Sequence, residues 1–211
     1  MPAAAGVTPV DALTVPNNIA LGCRPSAAIP HHLKTSFTRP DKTTMSPTTA
    51  EKTNSLAFKR SVINPEASVQ AAKILQGALP TLIDLPVLLK QAHWNVVGTH
   101  FRTVHLQLDE IVDAARIAGD EVAERIVTLG VSADGRSPTL AEKSQLTTYP
   151  EGFQQDTQTI ELTAKSLHET IEVLREAIEQ VGEIDPVSED LLIGHTAVFE
   201  KFLWMVQAQQ K

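Results

Sequence analysis

The chain has 211 residues, of which 42% are hydrophobic and 20% are charged, as in an ordinary soluble protein with room for one good core. No uninterrupted apolar run approaches the roughly 18 residues that a membrane span needs. The single cysteine, Cys23, excludes an intrachain disulfide framework.

Composition and charge change near residue 60. Residues 1–60 are rich in Pro, Thr, Ser, Ala and Asn and carry seven basic against three acidic residues, a net charge of +4. Residues 61–211 carry eleven basic against 22 acidic residues, a net charge of −11. We therefore predict a largely disordered, mildly basic N-terminal tail over 1–60 and a folded, acidic domain over 61–211.

The first helix of the domain is predicted to begin at Pro65, because Asn64 is a good N-cap and proline is favoured at the first helical position. Apolar residues recur at helical spacing from there to about Asn95. Pro80 and Pro86 lie inside this stretch, where proline ordinarily breaks or kinks a helix. The periodicity alone leaves open whether the helix continues past them.

The second helix carries the most informative pattern in the chain. Its apolar residues recur at three- and four-residue steps up to a stop at Gly130. It also carries two pairs of possible metal ligands, His105/Asp109 and Asp120/Glu124, each four residues apart. Residues four apart lie on one helix face about 6 Å from each other, so each pair suits one ion such as iron or zinc.

The separation of the two pairs indicates a shared site. Asp109 and Asp120 are eleven residues apart, which is about 16 Å of rise but only about 20° of rotation. The pairs therefore face the same way but are too distant to bind one ion within a single chain. A twofold axis that sets a second copy antiparallel would place one chain's first pair opposite the other chain's second pair, and would create two equivalent sites.

The direction of the ligand face supports the same arrangement. On a helical wheel it lies about 145° from the apolar stripe of this helix. Ligands of an internal bundle site would project among the apolar residues, whereas these side chains point toward a neighbour. The alternative interpretation is a solvated polar face on which the two pairs occur by chance.

The residues around these pairs resemble the Dps family, the mini-ferritins named as DNA-binding proteins from starved cells. The family pattern is matched at His93, Trp94, Gly98, Phe101, His105, Asp109, Asp120, Glu124 and Arg125. Similarity covers roughly residues 64–211 and includes the run KFLWMVQA near the C-terminus. The resemblance implies an all-α, ferritin-like four-helix bundle, in which the first helix continues past Pro80 and Pro86 with a bend.

By resemblance, the ligands of a ferroxidase site are His93, His105, Asp109, Asp120 and Glu124. The family places such sites between twofold-related subunits of a hollow, dodecameric shell. We therefore expect a cytoplasmic protein that oxidises Fe²⁺ with hydrogen peroxide or dioxygen and stores the ferric mineral inside the shell. Imidazoles and carboxylates together suit Fe²⁺, and zinc is a possible substitute.

Three further expectations concern residues other than the five ligands. Trp94 is expected to pack in the core, and the resemblance implies that it also buffers stray oxidising equivalents. Leu106 stands where family members commonly carry glutamate, so mineral nucleation is expected to be slower or to use other acids. The resemblance further implies that Asp185 and Asp190 line a threefold acidic pore for Fe²⁺, the alternative being ordinary placement of carboxylates at a helix N-terminus.

A long connection, residues 131–152, follows the second helix and contains a short helical piece near residues 139–146. A link of this length indicates that the second and third helices run parallel, since a two-helix hairpin would not need it. The third helix is predicted over residues 153–181, and the fourth over residues 186–209 after Asp185 as the cap.

Two other functions stay open beside the ferroxidase. The basic tails of an assembled shell could bind DNA weakly through multivalency, although its acidic bodies would repel phosphates. Alternatively, the shell has a structural role and its sites hold zinc without oxidising iron.

Overall fold

The structure, a computed structural model, describes residues 56–210. Most of this part of the chain is helical: α1 (Pro65–Asn95), α2 (Phe101–Thr128), α3 (Ser137–Lys143), α4 (Asp156–Val181) and α5 (Pro186–Gln207). A 3₁₀ turn over Ala208–Gln210 follows α5. The predicted all-α, ferritin-like bundle with a short helix in the link is thus confirmed. Most of the predicted tail, residues 1–55, lies outside the described residues.

The start of α1 agrees with the prediction. The side-chain oxygen of Asn64 accepts hydrogen bonds from the backbone N–H groups of Glu66 (2.9 Å) and Ala67 (3.4 Å). The helix then continues without a break past Pro80 and Pro86, both of which are buried. An interior proline costs a helix about 3 kcal/mol. Burial of the neighbouring leucines, at about 1.5–3 kcal/mol each, offsets that cost.

One described helix, α1, is long and apolar enough to cross a membrane by length and composition alone, with a mean hydropathy of 1.4 over its most apolar window. The sequence has no uninterrupted apolar run of this length, but the average over α1 is high. In the folded chain 61% of that window is buried against other elements. This burial is what the core helix of a bundle requires.

The link between α2 and α4 lies along α1. The side-chain amide of Gln76 donates to the carbonyl of Asp134 (3.0 Å) and accepts from its N–H (2.8 Å). Farther along, the hydroxyl of Ser144 donates to the carboxylate of Asp84 (2.6 Å). These contacts fix the crossover against the longest helix of the bundle.

Two short strands join the end of α1 to the start of α4. β1 (Val96–Val97) follows α1 directly, and β2 (Gln154–Gln155) precedes α4 and pairs with β1 in parallel. The starts of α2 and α4 therefore lie at the same end of the bundle, so the two helices run parallel as predicted. The third long helix begins at Asp156, three residues after the predicted start near residue 153, because residues 154 and 155 pair with β1 instead.

Candidate metal centre

The turn between α1 and α2 brings two predicted ligands together. His93 lies in the last turn of α1 and His105 lies in the second turn of α2. Their imidazole rings stack with centroids 3.6 Å apart and an angle of 21° between the ring planes. The ring of Phe101 lies 5.0 Å from that of His105, with an angle of 36° between the ring planes.

Each histidine ring is oriented by the backbone of the other residue. Nδ1 of His93 lies 3.0 Å from the carbonyl oxygen of His105, and Nδ1 of His105 lies 2.9 Å from the carbonyl oxygen of His93. A carbonyl oxygen only accepts, so each Nδ1 carries the hydrogen. In the neutral ring Nε2 then holds a free lone pair, which is the state that binds a metal ion.

Asp109 lies beside this pair. One of its carboxylate oxygens is 3.3 Å from Nδ1 of His93 and also accepts a hydrogen bond from the ammonium group of Lys90. The Asp109 side chain is 41% exposed. The Lys90 hydrogen bond is the largest cause that lowers the pKa of Asp109, and burial opposes it only in part. The carboxylate is therefore charged and already holds a cation.

Asp120 and Glu124 do not join these three residues within one protomer. Both side chains are exposed, on the side of α2 away from its buried apolar stripe. Across residues 56–210, no three His, Cys, Asp or Glu side chains of a single chain are arranged to hold a metal ion. One protomer thus presents the predicted ligands as two separated groups, as expected from the eleven-residue spacing.

Trp94 does not pack in the core of the protomer, and that expectation was wrong. Its side chain is 67% exposed, although His93 next to it is only 7% exposed. Successive residues of a helix point about 100° apart, so a buried His93 turns its neighbour outward. The exposed indole therefore lies on the surface beside the histidine pair.

Asp185 is buried, which contradicts its prediction as a pore-lining residue. Its carboxylate is 1% exposed and accepts hydrogen bonds from Arg125 (2.7 Å) and from the hydroxyl of Ser188. Burial alone would raise the pKa of Asp185, but the bonds from Arg125 and Ser188 outweigh it and lower the pKa. The residue ties the start of α5 to the end of α2 and has no free face for an ion.

Asp190, the second predicted pore residue, is exposed. It lines a surface groove of about 380 Å³ together with Glu121, Glu124 and Arg125. One predicted ligand and one predicted pore residue thus lie in the same acidic groove between α2 and α5.

Leu106 lies on a different surface of α2. Its side chain is 48% exposed and faces a groove that is also lined by Trp204 and Met205 of α5. Glu110, one helical turn farther along, borders the same groove. A carboxylate is thus available near the position at which the family commonly has one.

Comparison with known proteins places the chain in a class and then in a family. Residues 72–211 match the family model of the ferritin-like domain. The DNA protection during starvation protein of Mycolicibacterium smegmatis is 39% identical over 148 residues, which are 69% of this chain and 80% of that protein. The fine tangled pili major subunit of Haemophilus ducreyi is 42% identical over 137 residues, or 65% of this chain and 72% of that protein.

Solved structures agree with the sequence comparison. The structure of Dps from Microbacterium arborescens in the high iron form superimposes with a TM-score of 0.67 at 34% identity. The superposition covers 71% of this chain and 98% of that one. The bundle and its matched domain define a ferritin-like protein. Within that class, the chain belongs to the Dps family.

Proposed function

We propose that the protein is a ferroxidase and iron-storage mini-ferritin whose active sites lie between two subunits. His93, His105 and Asp109 of one protomer would form one half of each site. Asp120 and Glu124 of a twofold-related copy would form the other half. The observation that carries this proposal is the separation of His105 and Asp109 from Asp120 and Glu124 along α2, with His93 of α1 stacked on His105.

The ligand chemistry supports ferrous iron as the substrate. Two imidazoles with free Nε2 lone pairs and three carboxylates make a donor set of borderline-to-hard character, which suits Fe²⁺. The extra negative charge of the carboxylates stabilises Fe³⁺ more than Fe²⁺ and so favours oxidation after binding. Zinc would bind the same set of donors without changing its redox state.

The overall reaction balances with peroxide as the oxidant. Two ferrous ions each give up one electron, and one molecule of hydrogen peroxide accepts both as its O–O bond breaks. Two water molecules supply the remaining oxygen, and four protons are released as two units of hydrated ferric oxide form. The proposal includes a cytoplasmic shell of identical subunits, a dodecamer by family resemblance, with this mineral in its interior.

The ferroxidase is tested by peroxide addition to protein that was loaded with Fe²⁺ without oxygen. The initial rise of ferric absorbance is compared between the native protein and the Asp120→Ala variant. Loss of one carboxylate ligand is expected to lower this rate at least about tenfold. Glu142→Ala removes an exposed carboxylate from α3, which carries none of the proposed ligands, and serves as the control, with an unchanged rate. A native rate in Asp120→Ala would remove the site assignment.

Binding of DNA by the N-terminal tails is a second candidate function. The observation that favours it is the charge difference between residues 1–60, at +4, and residues 61–211, at −11. Positively charged tails attract the phosphates of DNA, and many tails on one shell act together. The relative from M. smegmatis carries DNA protection in its name.

A gel shift of full-length protein against residues 61–211 separates this candidate from the ferroxidase. At low salt the full-length shell is expected to retard a DNA fragment, and the shift is expected to disappear as salt rises. The shortened protein is expected to leave the DNA free, because only its acidic body is present. Equal behaviour of the two proteins would exclude the tails as the DNA-binding part.

A further inference from the structure

A buried carboxylate lies against the turn that joins the two histidine-bearing helices. Asp156, the first residue of α4, is 6% exposed. One of its oxygens accepts the backbone N–H of His100 (2.6 Å) and lies 3.2 Å from Nδ1 of the His100 ring. The other oxygen accepts the N–H of Thr157 at the start of its own helix (2.8 Å). One side chain thus connects the turn to α4.

The helix that follows the turn has no cap of its own. His100 occupies the N-cap position of α2 and makes no side-chain hydrogen bond to that helix. The first N–H groups of a helix need acceptors, and a carboxylate near them is also favoured by the helix dipole. Asp156 supplies such a carboxylate from another helix. The His100 N–H bond is the largest cause that lowers the pKa of Asp156, so the carboxylate stays charged.

The shape of the turn is fitted to the same carboxylate. Gly98 has a φ of +134°, a backbone conformation that residues with a side chain rarely adopt. A Cβ atom at Gly98 would lie 2.6 Å from Cγ of Asp156. Glycine is therefore needed here for both conformation and space, and the carboxylate packs directly on the backbone of the turn.

We propose that Asp156 is a positioning residue for the iron site, because its carboxylate fixes the turn that sets His93 against His105. The inference rests on the proposed function, since it gives a role to the geometry of that site. His93 lies five residues before Gly98, and His105 lies five residues after His100. Both histidines are therefore close in sequence to the turn that Asp156 holds. Each ring also bonds to the backbone of the other residue, so a displacement of the turn changes both imidazoles together.

The consequence is a change in metal affinity. Residues that hold metal ligands in place typically contribute about 10–100-fold to affinity. Release of the turn by Asp156→Ala is expected to weaken metal binding by roughly tenfold. Asp156→Asn keeps an oxygen that accepts the His100 N–H and is expected to restore most of the affinity.

The experiment uses Co²⁺ as a spectroscopic probe on the assembled, full-length protein, at a temperature well below unfolding. The visible absorption bands of bound Co²⁺ report both the affinity and the ligand geometry. Glu169→Gln is the matched control, because Glu169 is also a carboxylate of α4 that accepts a backbone N–H and a hydroxyl from a loop, at Thr147. That loop carries none of the proposed ligands.

The proposal expects weak Co²⁺ binding and altered bands in Asp156→Ala, recovery in Asp156→Asn, and native behaviour in Glu169→Gln. If Asp156→Ala does not assemble, Asp156→Ser replaces it, because serine is one atom shorter and keeps an oxygen near the N–H of Thr157. Native affinity in the alanine or serine variant would overturn the positioning role. If instead the native protein and a His105→Asn variant bind Co²⁺ equally, the proposed iron site itself fails.

Discussion

The ammonium group of Lys90 donates a hydrogen bond to the carboxylate of Asp109, which is one of the proposed ligands of ferrous iron. An entering metal ion therefore has to displace a bound cation. The ion pair is partly exposed, with 22% of the Lys90 side chain and 41% of the Asp109 side chain accessible. Pairs of this kind contribute at most about 1 kcal/mol.

Lys90→Met is expected to bind Co²⁺ more tightly than the native protein, by up to about fivefold, because at most about 1 kcal/mol of competition is removed. Methionine keeps the length of the side chain and removes its charge. Titration of the variant shells with Co²⁺ measures the change, and Lys165→Met on the exposed side of α4 is the control. Weaker binding in Lys90→Met would show that the ammonium group supports the site.

The two histidine rings make a second prediction possible. His105→Asn keeps an N–H donor near the place of Nδ1, so its bond to the carbonyl of His93 is expected to persist. Asparagine has no atom at the place of Nε2, and the lone pair for the metal is lost. We expect Co²⁺ affinity to fall by at least about tenfold, with the unfolding temperature almost unchanged.

The exposed residue His168 of α4 provides the control for that substitution. His168→Asn also removes an imidazole, but from a ring that is 61% exposed and lies beside Glu172 of the same helix. Its Co²⁺ binding is expected to equal that of the native protein. If His105→Asn bound Co²⁺ as tightly as His168→Asn does, His105 would not be a ligand.

The buried pair of Asp185 and Arg125 predicts a dependence of stability on pH. The pKa of Asp185 is lowered in the folded state, so its stabilising contribution is complete above the unfolded value near 3.8 and is lost as pH falls through the folded value. At pH 7, Asp185→Asn is expected to lower the free energy of unfolding by on the order of 1–3 kcal/mol. Below pH 3.8 the difference between the two proteins is expected to shrink progressively as pH falls toward the lowered folded value.

Guanidinium unfolding at fixed protein concentration, repeated from pH 7 to pH 3, measures this difference. Glu179→Gln is a suitable control, because Glu179 is an exposed carboxylate on α4, which carries none of the proposed ligands. The control should follow the native protein at every pH. A difference between native protein and Asp185→Asn that stayed constant with pH would contradict the role of the buried charge.

The sequence predicted those features of the fold that depend on periodicity and local capping. The Asn64 cap, the stop near Gly130 and the parallel course of α2 and α4 all follow from spacing, turn residues and link length. The continuation of α1 past its two prolines was predicted only by family resemblance. Local propensity opposes a helix there, and the burial of neighbouring side chains outweighs it. Two-residue strands such as β1 and β2 leave no pattern in a sequence.

Residue spacing could predict only part of the candidate site. It indicated which ligands share a helix face, but the burial of Asp185 and the exposure of Trp94 are set by neighbouring helices. One local signal pointed to a contact between Lys90 and the site, because Lys90 lies three residues before His93 and therefore on the same face of α1. No local signal pointed to Asp156, because it reaches the turn from a helix that begins more than fifty residues later.

The central claim is that each active site is completed by a second copy of the chain, and mixed shells test it most directly. His105→Asn and Asp120→Ala are each expected to be nearly inactive alone, with at most about a tenth of the native rate, because each lacks one ligand of every site. When equal amounts are unfolded and reassembled together, a mixed twofold pair contains one site with both defects and one intact site. About one quarter of native ferroxidase activity should therefore return. Mixed shells that contain both variants and remain inactive would contradict a site shared between subunits.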